Sequence, residues 1–171
     1  MVDRRPRAGP ALGPRTVNNP RAIVLRPAWR QEAGGMATMS RTLIETGLAW
    51  RYTAPRMAGL IADPDTVALV AHDGLGLQGF AVMQFGETQA HLMLLCVRPA
   101  QQRRGIGRQL VHWLLASARV AGIAAIQLEL RADNPGALAF YSGLGFTETE
   151  QAPAYYDGRI AARRMVLWLR A

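Results

Sequence analysis

The sequence contains no lysine: all 20 of its basic residues are arginine, and with 12 acidic residues they give a formal net charge of +8. The lack of lysine argues against the phosphate-binding loop of nucleoside triphosphatases, which needs a Gly-Lys pair followed by Ser or Thr. A GC-rich genome that substitutes arginine for lysine accounts for the total charge, whereas local clusters of arginine favour an anionic partner.

Cysteine and long apolar runs are also scarce. The single cysteine, Cys96, excludes an internal disulfide framework and a CxxC metal site, so we expect no metal and a reducing, cytoplasmic setting. Every apolar run falls short of the roughly 18–20 residues of a membrane span. The basic N-terminus lacks the apolar segment of a secretory signal. We therefore expect no membrane partner.

The chain is divided into a short tail and one domain. Residues 1–20 carry four arginines and four prolines with little apolar content, a composition that predicts disorder. Residues 21–171 are long enough for a single domain with its own core, and half of the whole sequence is hydrophobic. We expect this domain to be a monomer or a homodimer.

Hydrophobic periodicity predicts seven strands and four helices in the order β-α-α-β-β-β-α-β-α-β-β. The predicted strands are 22–26, 66–72, 77–85, 89–97, 125–131, 146–150 and 160–169, and the predicted helices are 28–47, 55–62, 105–121 and 134–142. Three consecutive strands followed by a β-α-β crossover indicate a mixed sheet, and hence an α/β or α+β domain. Segments 47–53 and 155–158 are predicted to be loops.

The segment QQRRGIGRQL (101–110) lies where the 89–97 strand gives way to the 105–121 helix. The first backbone N–H groups of a helix are unpaired and carry partial positive charge, so they form a ready site for an anion. Two glycines, Gly105 and Gly107, lack side chains that would keep phosphate oxygens away from the backbone. Three arginines add positive charge at the same point: Arg103, Arg104 and Arg108. The segment therefore predicts a phosphate or pyrophosphate site.

Two other interpretations of this segment stay open. A flexible glycine turn surrounded by solvated arginines explains the glycines about as well as a phosphate site does. A dinucleotide-binding loop of the G-x-G-x-x-G type is weakened because Leu110 stands at its third glycine position, although Glu129 lies at about the spacing of its acidic residue.

Two linked motifs resemble those of the GNAT N-acetyltransferases. QRRGIG (102–107) matches the family's Q/R-x-x-G-x-G/A signature, and it follows a strand and precedes a helix as in that family. ELRADNPGALAFYSGLGF (129–146) looks like the family's strand–helix–strand segment. YYDGRIAARRM (155–165) is similar to the tail of the RimI-like branch, which acetylates protein N-termini, but Ile160 and Ala161 stand where that branch commonly has an acidic pair. The resemblance covers roughly residues 21–170.

The resemblance implies both a fold and a reaction. The fold is a mixed, mostly antiparallel sheet of about seven strands, splayed after the fourth strand and flanked by about four helices. The reaction is transfer of an acetyl group from acetyl-CoA to a primary amine, on a protein N-terminus or a small molecule, by direct attack in a ternary complex. The implied contacts to acetyl-CoA are Leu95, Cys96, Val97, Gln102, Arg103, Arg104, Gly105, Ile106, Gly107, Arg108 and Asn134.

Tyr141 and Glu129 are the candidate catalytic residues. A phenol with a pKa of about 10 can donate a proton to the departing thiolate at neutral pH, although a core tyrosine is the alternative for Tyr141. Glu129 faces away from the apolar residues with which it alternates, and it is the candidate base. A water chain, or a solvated carboxylate paired with Arg131, is the alternative there. Asn134 either contacts the cofactor or only caps its helix.

Aromatic residues and histidines complete the candidate set. The candidates for the wall of the substrate site are Trp50, Tyr52 and Tyr155, and core packing explains the first two nearly as well. The three histidines are scattered along the chain: His72, His91 and His112. Cys96 therefore has no persuasive histidine partner, and we interpret it as a small buried hydrophobe. A structural role is the preferred interpretation of His91.

A second class of function stays open on the sequence alone. The alternatives are a non-catalytic acyl-CoA-binding module and a basic protein that associates with nucleic acid through its arginine-rich tail. Because the tail has no interleaved aromatic residues, nucleic acid is not the partner that we expect. The sequence does not identify the amine acceptor.

Overall fold

The computed structural model describes residues 21–169, and the predicted disordered tail lies outside this range. Seven strands form one sheet in the order β1-β2-β3-β4-β5-β7-β6. The strands are β1 (Val24–Pro27), β2 (Thr66–Asp73), β3 (Gly76–Phe85), β4 (Gln89–Val97), β5 (Ala125–Arg131), β6 (Thr147–Tyr156) and β7 (Ile160–Trp168). The α-helices of the described residues are α1 (Ala33–Met39), α2 (Ala54–Ala62), α3 (Ile106–Val120) and α4 (Pro135–Gly143). The predicted seven-stranded sheet with four helices is confirmed.

Neighbouring strands of the sheet are antiparallel except β4 and β5, which run parallel. A parallel pair needs a crossover connection, and α3 supplies it. Because β4 and β5 are the fourth and fifth strands in the sheet order, this parallel junction lies inside the sheet and not at an edge. The sheet is therefore mixed, as the three consecutive strands and the β-α-β crossover of the sequence predicted.

Apolar side chains form two cores, one on each face of the sheet. On one face, α3 contributes Leu110 to a core that includes Ile126 of β5. On the other face, α1 and α2 contribute Met36 and Met57 to a core that includes Phe80 of β3. All five side chains are almost fully buried, and burying a side chain of this size contributes roughly 1.5–3 kcal/mol. The sheet is thus held between two helical layers.

The first helical region is more segmented than the single helix predicted over 28–47. A 3-10 turn (Arg30–Glu32) precedes α1, and a π-helical segment (Ser40–Ile44) follows it. The hydroxyl of Ser40 is buried and donates to the carboxylate of Glu45 at 2.9 Å. Widened helical turns of this kind often mark functional regions, and this one leads into the 45–53 loop. No helix within residues 21–169 is long and apolar enough to cross a membrane.

The predicted loop at 155–158 is wrong in its first half, because both tyrosines of that segment belong to a strand. β6 runs to Tyr156 instead of ending at 150, and only 157–159 form the turn to β7. β6 lies at the edge of the sheet, its side chains are almost all exposed, and its register shifts twice. Such a strand has no alternation of apolar and polar residues by which the sequence could reveal it.

Candidate active site

The two parallel strands separate soon after they pair. β4 and β5 are in register only over three residue pairs, from Gln89–Ala125 to His91–Gln127. Beyond these pairs a cavity of about 500 Å³ opens between the strands, and its walls include residues 92–95 of β4 and 129–131 of β5. In the described part of the chain no ladder pairs join these two stretches. The predicted splay after the fourth strand is confirmed.

A β-bulge at Met93 shapes the β4 side of this wedge. Leu92 is in register with Met83 and Leu94 with Val82, so Met93 is the extra residue of β4. As a result Leu92 belongs to the core beneath α3, whereas Leu94 belongs to the core beneath α1 and α2. A bulge bends its strand and re-aims the side chains around it, and here it does so where the cavity opens.

Helix α3 begins just after the end of β4 with a turn that uses left-handed backbone. Gly105, at the N-cap, has φ of 81°, and Arg103 has φ of 60°. The first amides of a helix have no acceptor within that helix, so they bind anions readily. The side-chain amide of Gln102 donates to the carbonyl of Val97 at 3.0 Å. This contact ties the amide-bearing turn to the end of the wedge.

Gly107 has a packing role that the sequence did not indicate. A Cβ atom added at this position would lie 3.4 Å from Cζ of Phe140 on α4 and 3.8 Å from Cγ2 of Val97. The glycine therefore allows α3 to approach α4 closely. Gly105 supplies the left-handed turn, so each glycine of the motif has a structural reason of its own in addition to any ligand contact.

Two of the eleven predicted cofactor residues line the cavity, and the other nine are not among its lining residues. Leu95 and Asn134 line the cavity, and Oδ1 of Asn134 accepts the N–H of Ala137 at 3.0 Å, which caps α4. The side chain of Cys96 is buried, and this burial raises its pKa to about 12, so the thiol is inert at neutral pH. The remaining predicted contacts follow one another from β4 into α3: Val97, Gln102, Arg103, Arg104, Gly105, Ile106, Gly107 and Arg108.

Tyr141 on α4 is a buried residue of the cavity wall. Its ring makes edge-to-face contacts with Phe140 at 5.1 Å and with Phe146 at 5.6 Å. Burial, with a smaller contribution from Tyr156, raises the pKa of its hydroxyl above the usual range of tyrosine. The phenol is therefore protonated at every physiological pH. The position of Tyr141 agrees both with a core tyrosine, because its ring packs in the core, and with a proton donor, because the residue borders the cavity.

All four tyrosines of the chain line this one cavity: Tyr52, Tyr141, Tyr155 and Tyr156. Tyr156 was not among the predicted site residues, although its neighbour Tyr155 was. Its ring contacts that of Tyr155 at 4.9 Å, and burial raises the pKa of its hydroxyl. The convergence of the tyrosines from three separate segments of the chain was not visible in the spacing of any one motif.

Glu129 meets a histidine that we predicted to be structural. Nε2 of His91 lies 2.6 Å from Oε2 of Glu129, and Nε of Arg164 lies 3.5 Å from Oε1. The hydrogen bond from His91 lowers the pKa of the carboxyl, burial opposes it, and the charges of His91 and Arg164 lower it further. Arg131 pairs instead with Asp133 at 2.9 Å, so the alternative of a Glu129–Arg131 pair is wrong.

The 45–53 loop forms a roof over the cavity and is tied to the turn after β6. The carboxylate of Asp157 accepts the N–H of Ala49 at 2.7 Å and contacts Nη2 of Arg51 at 3.0 Å. Beneath the loop, the buried carboxylate of Glu45 accepts the N–H of Arg51 at 2.6 Å. We call residues 45–53 with 157–159 the roof. Seven residues of the roof line the cavity: Glu45, Thr46, Leu48, Ala49, Arg51, Tyr52 and Asp157.

The predicted substrate-wall residues divide into two groups. Tyr52 and Tyr155 line the cavity, whereas Trp50 is not among its lining residues. The indole of Trp50 is exposed, and its Nε1 donates to the carbonyl of Tyr52 at 3.2 Å. Trp50 therefore shapes the roof from outside. No group of three or more metal-ligating side chains is found among residues 21–169.

Comparison with known proteins identifies the family. Residues 37–168 match the model of the acetyltransferase (GNAT) domain. The [ribosomal protein bS18]-alanine N-acetyltransferase of Escherichia coli K12 is 38% identical over 94 residues, which are 53% of this chain and 64% of that protein. N-alpha-acetyltransferase RimI of Mycobacterium tuberculosis is 37% identical over 100 residues, which are 56% of this chain and 61% of that protein. The match thus spans less than two thirds of the length of these relatives.

Solved structures show the same architecture. The crystal structure of Ard1 from Thermoplasma volcanium has a TM-score of 0.77 at 24% identity and covers 88% of this chain and 99% of its own. That of the ribosomal-protein-S18-alanine N-acetyltransferase from Escherichia coli has a TM-score of 0.76 at 25% identity and covers 88% of this chain and 96% of its own. The resemblance to a RimI-like branch that the motifs indicated is confirmed.

Proposed function

The chain belongs to the acetyltransferase (GNAT) family, and from this premise we propose that it transfers the acetyl group of acetyl-CoA to the free N-terminus of a polypeptide. The observation that carries the proposal is the wedge between β4 and β5, whose single cavity is lined by an unpaired strand edge, by Tyr141 and by Glu129. Acetyl-CoA would supply an acetyl group activated as a thioester, together with a pyrophosphate.

The residues at the open end of the wedge fit this co-substrate. The amides at the start of α3 follow the left-handed turn at Gly105 and suit the pyrophosphate. Three arginines of the turn and the first helical residues are exposed and add positive charge: Arg103, Arg104 and Arg108. The backbone of Leu95 and its neighbours can pair with an extended, amide-bearing chain as another strand would, since β5 has left that edge of β4 free.

Tyr141 is the proposed general acid. The residue borders the cavity from α4, and its hydroxyl stays protonated at neutral pH because burial raises its pKa. A proton held at that oxygen can be given to the departing thiolate as the carbon–sulfur bond breaks. The edge-to-face contacts with Phe140 and Phe146 fix the ring, so the hydroxyl is held in position without a cost in side-chain entropy during the reaction.

A polypeptide N-terminus is the acceptor that the roof favours. The roof lines a concave cavity of about 500 Å³, a volume that suits a small group or a chain end better than a folded surface. The carboxylate of Glu129 lies on the cavity wall and attracts an ammonium group. The curated relatives are named for acetylation of protein N-termini, one of them on the alanine of ribosomal protein bS18. Ile160 and Ala161 replace the acidic pair of that branch, so the preferred peptide sequence is expected to differ.

The test is to incubate the protein with acetyl-CoA and three kinds of amine: peptides with a free N-terminus, the same peptides with a blocked N-terminus and one internal lysine, and polyamines. Thiol release gives the rate, and mass spectrometry locates the acetyl group. Cys96 is the only thiol of the chain and is buried, so it adds little to the thiol signal. We expect acetylation of free N-termini alone.

The outcomes separate the proposal from its alternatives. Acetylation of the internal lysine or of the polyamines in preference to free N-termini would change the acceptor but keep the reaction. Binding of acetyl-CoA without thiol release in the presence of any amine would indicate a non-catalytic acyl-CoA-binding module. Salt-dependent binding of RNA with no thiol release would favour the nucleic-acid-associated alternative.

A further inference from the structure

We propose that His91, and not Glu129, accepts the proton from the incoming ammonium group, and that Glu129 is the positioning residue that orients the imidazole for this step. The inference rests on the proposed function and assigns the one proton transfer that Tyr141 does not perform. It is built on a contact between two strands at the point where they separate, and on the different exposure of the two side chains.

The contact joins His91, the last residue of β4 that pairs with β5, to Glu129, which lies beyond the paired stretch of β5. His91 is in register with Gln127, two residues before Glu129, and Nε2 of its ring lies 2.6 Å from Oε2 of the carboxylate. Both residues line the cavity. The side chain of His91 is 45% exposed, whereas that of Glu129 is 17% exposed. The imidazole is therefore the more accessible of the two groups to an amine that enters the cavity.

The carboxylate is engaged on both of its oxygens. Oε2 faces His91, and Oε1 lies 3.5 Å from Nε of Arg164, which also contacts Glu150 at 2.8 Å. These four residues form a row of polar contacts across β4, β5, β7 and β6. The contacts from His91 and Arg164 outweigh burial and lower the pKa of Glu129, so the carboxylate is ionised but a weaker base than an isolated glutamate. It suits the stabilisation of a neighbouring cation better than direct proton abstraction.

The same contact selects the tautomer of the imidazole. A carboxylate can only accept a hydrogen bond, so Nε2 carries the hydrogen, and Nδ1 is left with a free electron pair in the neutral ring. In the proposed step, an N–H bond of the ammonium breaks and its proton bonds to Nδ1. The nitrogen of the amine keeps the electron pair with which it attacks, and the carboxylate of Glu129 stabilises the imidazolium until the proton passes to water.

Other titratable groups near the pair do not take this role. Tyr155 and Tyr156 of β6 interact with Glu129, but burial of each raises the pKa of its hydroxyl, so both are protonated at neutral pH. Arg164 of β7 is a permanent cation on the far side of the carboxylate. Among the groups that face Glu129, the imidazole is the one with a free ring nitrogen that can accept a proton and pass it to water.

The kinetic test compares His91→Gln, Glu129→Gln and His112→Gln with the natural protein, at saturating acetyl-CoA and saturating peptide. His112 is exposed on α3 and is not among the residues that line the cavity, so its variant is the matched control. General-base catalysis contributes on the order of 10²- to 10⁴-fold. We expect kcat to fall by about 10²-fold for His91→Gln, and added imidazole to restore part of the kcat of His91→Ala.

A second measurement does not depend on turnover. Nitrogen NMR of the imidazole in the natural protein is expected to show the hydrogen of the neutral ring on Nε2, and Glu129→Ala is expected to weaken this preference, because the acceptor that holds the Nε2 hydrogen is lost. A hydrogen on Nδ1, or a tautomer unchanged in Glu129→Ala, overturns the positioning role. Acetyl-CoA binding and thermal unfolding of each variant verify that it is folded.

Failure of this inference differs from failure of the proposed function. Absence of transfer to any amine by the natural protein would overturn the proposed function and, with it, the role of His91. Transfer by the natural protein that His91→Gln reduces less than twofold, while Glu129→Gln reduces it strongly, would overturn the inference alone and make the carboxylate the base.

Discussion

The carboxylate of Asp157 accepts the backbone N–H of Ala49 at 2.7 Å although 108 residues separate them in the sequence. The same side chain contacts Arg51 at 3.0 Å, and Arg159 donates to the carbonyl of Gly47 at 3.1 Å. The hydrogen bond from Ala49 lowers the pKa of Asp157, burial opposes it, and the hydrogen bond and charge of Arg51 and the charge of Arg159 lower it further. The roof is therefore a joint product of the 45–53 loop and the turn after β6, and the ionised carboxylate of Asp157 makes two of the contacts that join them.

Asp157→Ala is expected to loosen the roof and weaken acceptor binding. Because the variant loses two charge-assisted hydrogen bonds that hold the loop, we expect KM for the peptide to rise by about tenfold with KM for acetyl-CoA unchanged. Steady-state kinetics in both substrates measure the two constants. Asp65→Ala, in the turn before β2, is the control; an equal change in both variants would argue against the role of the roof.

Tyr141→Phe is expected to lower kcat by about 10²-fold, because the variant keeps the buried ring but lacks the proton that the departing thiolate takes. The edge-to-face contacts with Phe140 and Phe146 do not involve the hydroxyl, so KM for acetyl-CoA and the thermal unfolding temperature should stay close to those of the natural protein. A kcat within twofold of the natural value would rule out the acid role. Tyr52→Phe, at a roof residue that also lines the cavity, tests whether the loss of any tyrosine hydroxyl of the cavity gives the same result.

The sequence predicted those helices and strands whose signals lie within one short segment of the chain. The start of α3 could be predicted because Gly105 ends a strand-to-helix turn within one short motif, and α4 because Asn134 caps a helix that follows directly. The sheet splay followed from a resemblance and not from periodicity. The first half of β6 was predicted, but its continuation beyond residue 150 was not, because an exposed edge strand with irregular register carries no apolar alternation.

The long-range pairs of the site had no signal in a single sequence. His91 and Glu129 are 38 residues apart in the sequence. They meet because the parallel pairing of β4 and β5 places His91 opposite Gln127, two residues before Glu129. The alternation along β5 correctly predicted that Glu129 faces away from the apolar core, but alternation gives a face and not a partner. For the same reason the neighbouring Arg131 was considered as its partner, whereas Arg131 reaches Asp133 and the carbonyl of Thr46.

Gly105→Ala is expected to weaken acetyl-CoA binding through the backbone alone. The left-handed conformation costs a residue with a Cβ atom roughly 1–2 kcal/mol, and a turn that relaxes from it moves the first amides of α3. We expect KM for acetyl-CoA to rise by about tenfold, with KM for the peptide little changed. Gly34→Ala is the matched control, because that glycine lies within α1 with open space around its Cβ position; it should leave kinetics unchanged and stabilise the fold by about 0.5–1 kcal/mol.

Glu32 makes a stability contribution that should vanish in acid. Its carboxylate binds Arg26 through two hydrogen bonds of 2.8 and 2.9 Å, and it contacts Nε2 of His72 at 2.6 Å. Burial acts to raise the pKa of Glu32, but Arg26, the N–H of Trp29 and His72 together lower it below its usual value. A carboxyl whose pKa is lower in the folded state stabilises the fold above its unfolded pKa of about 4.3, and the contribution is lost as the pH falls through the folded pKa.

Glu32→Gln should therefore lower the free energy of unfolding by about 1–3 kcal/mol at pH 7, and the difference from the natural protein should shrink progressively below pH of about 4. Urea unfolding at several pH values measures both effects. Glu87→Gln, in the turn before β4, is the control, because no hydrogen bond or ion pair of its carboxylate is found within residues 21–169. A difference between Glu32→Gln and the natural protein that stays constant from pH 7 to pH 3 would show that the lost stability comes from packing and not from the ionised carboxylate.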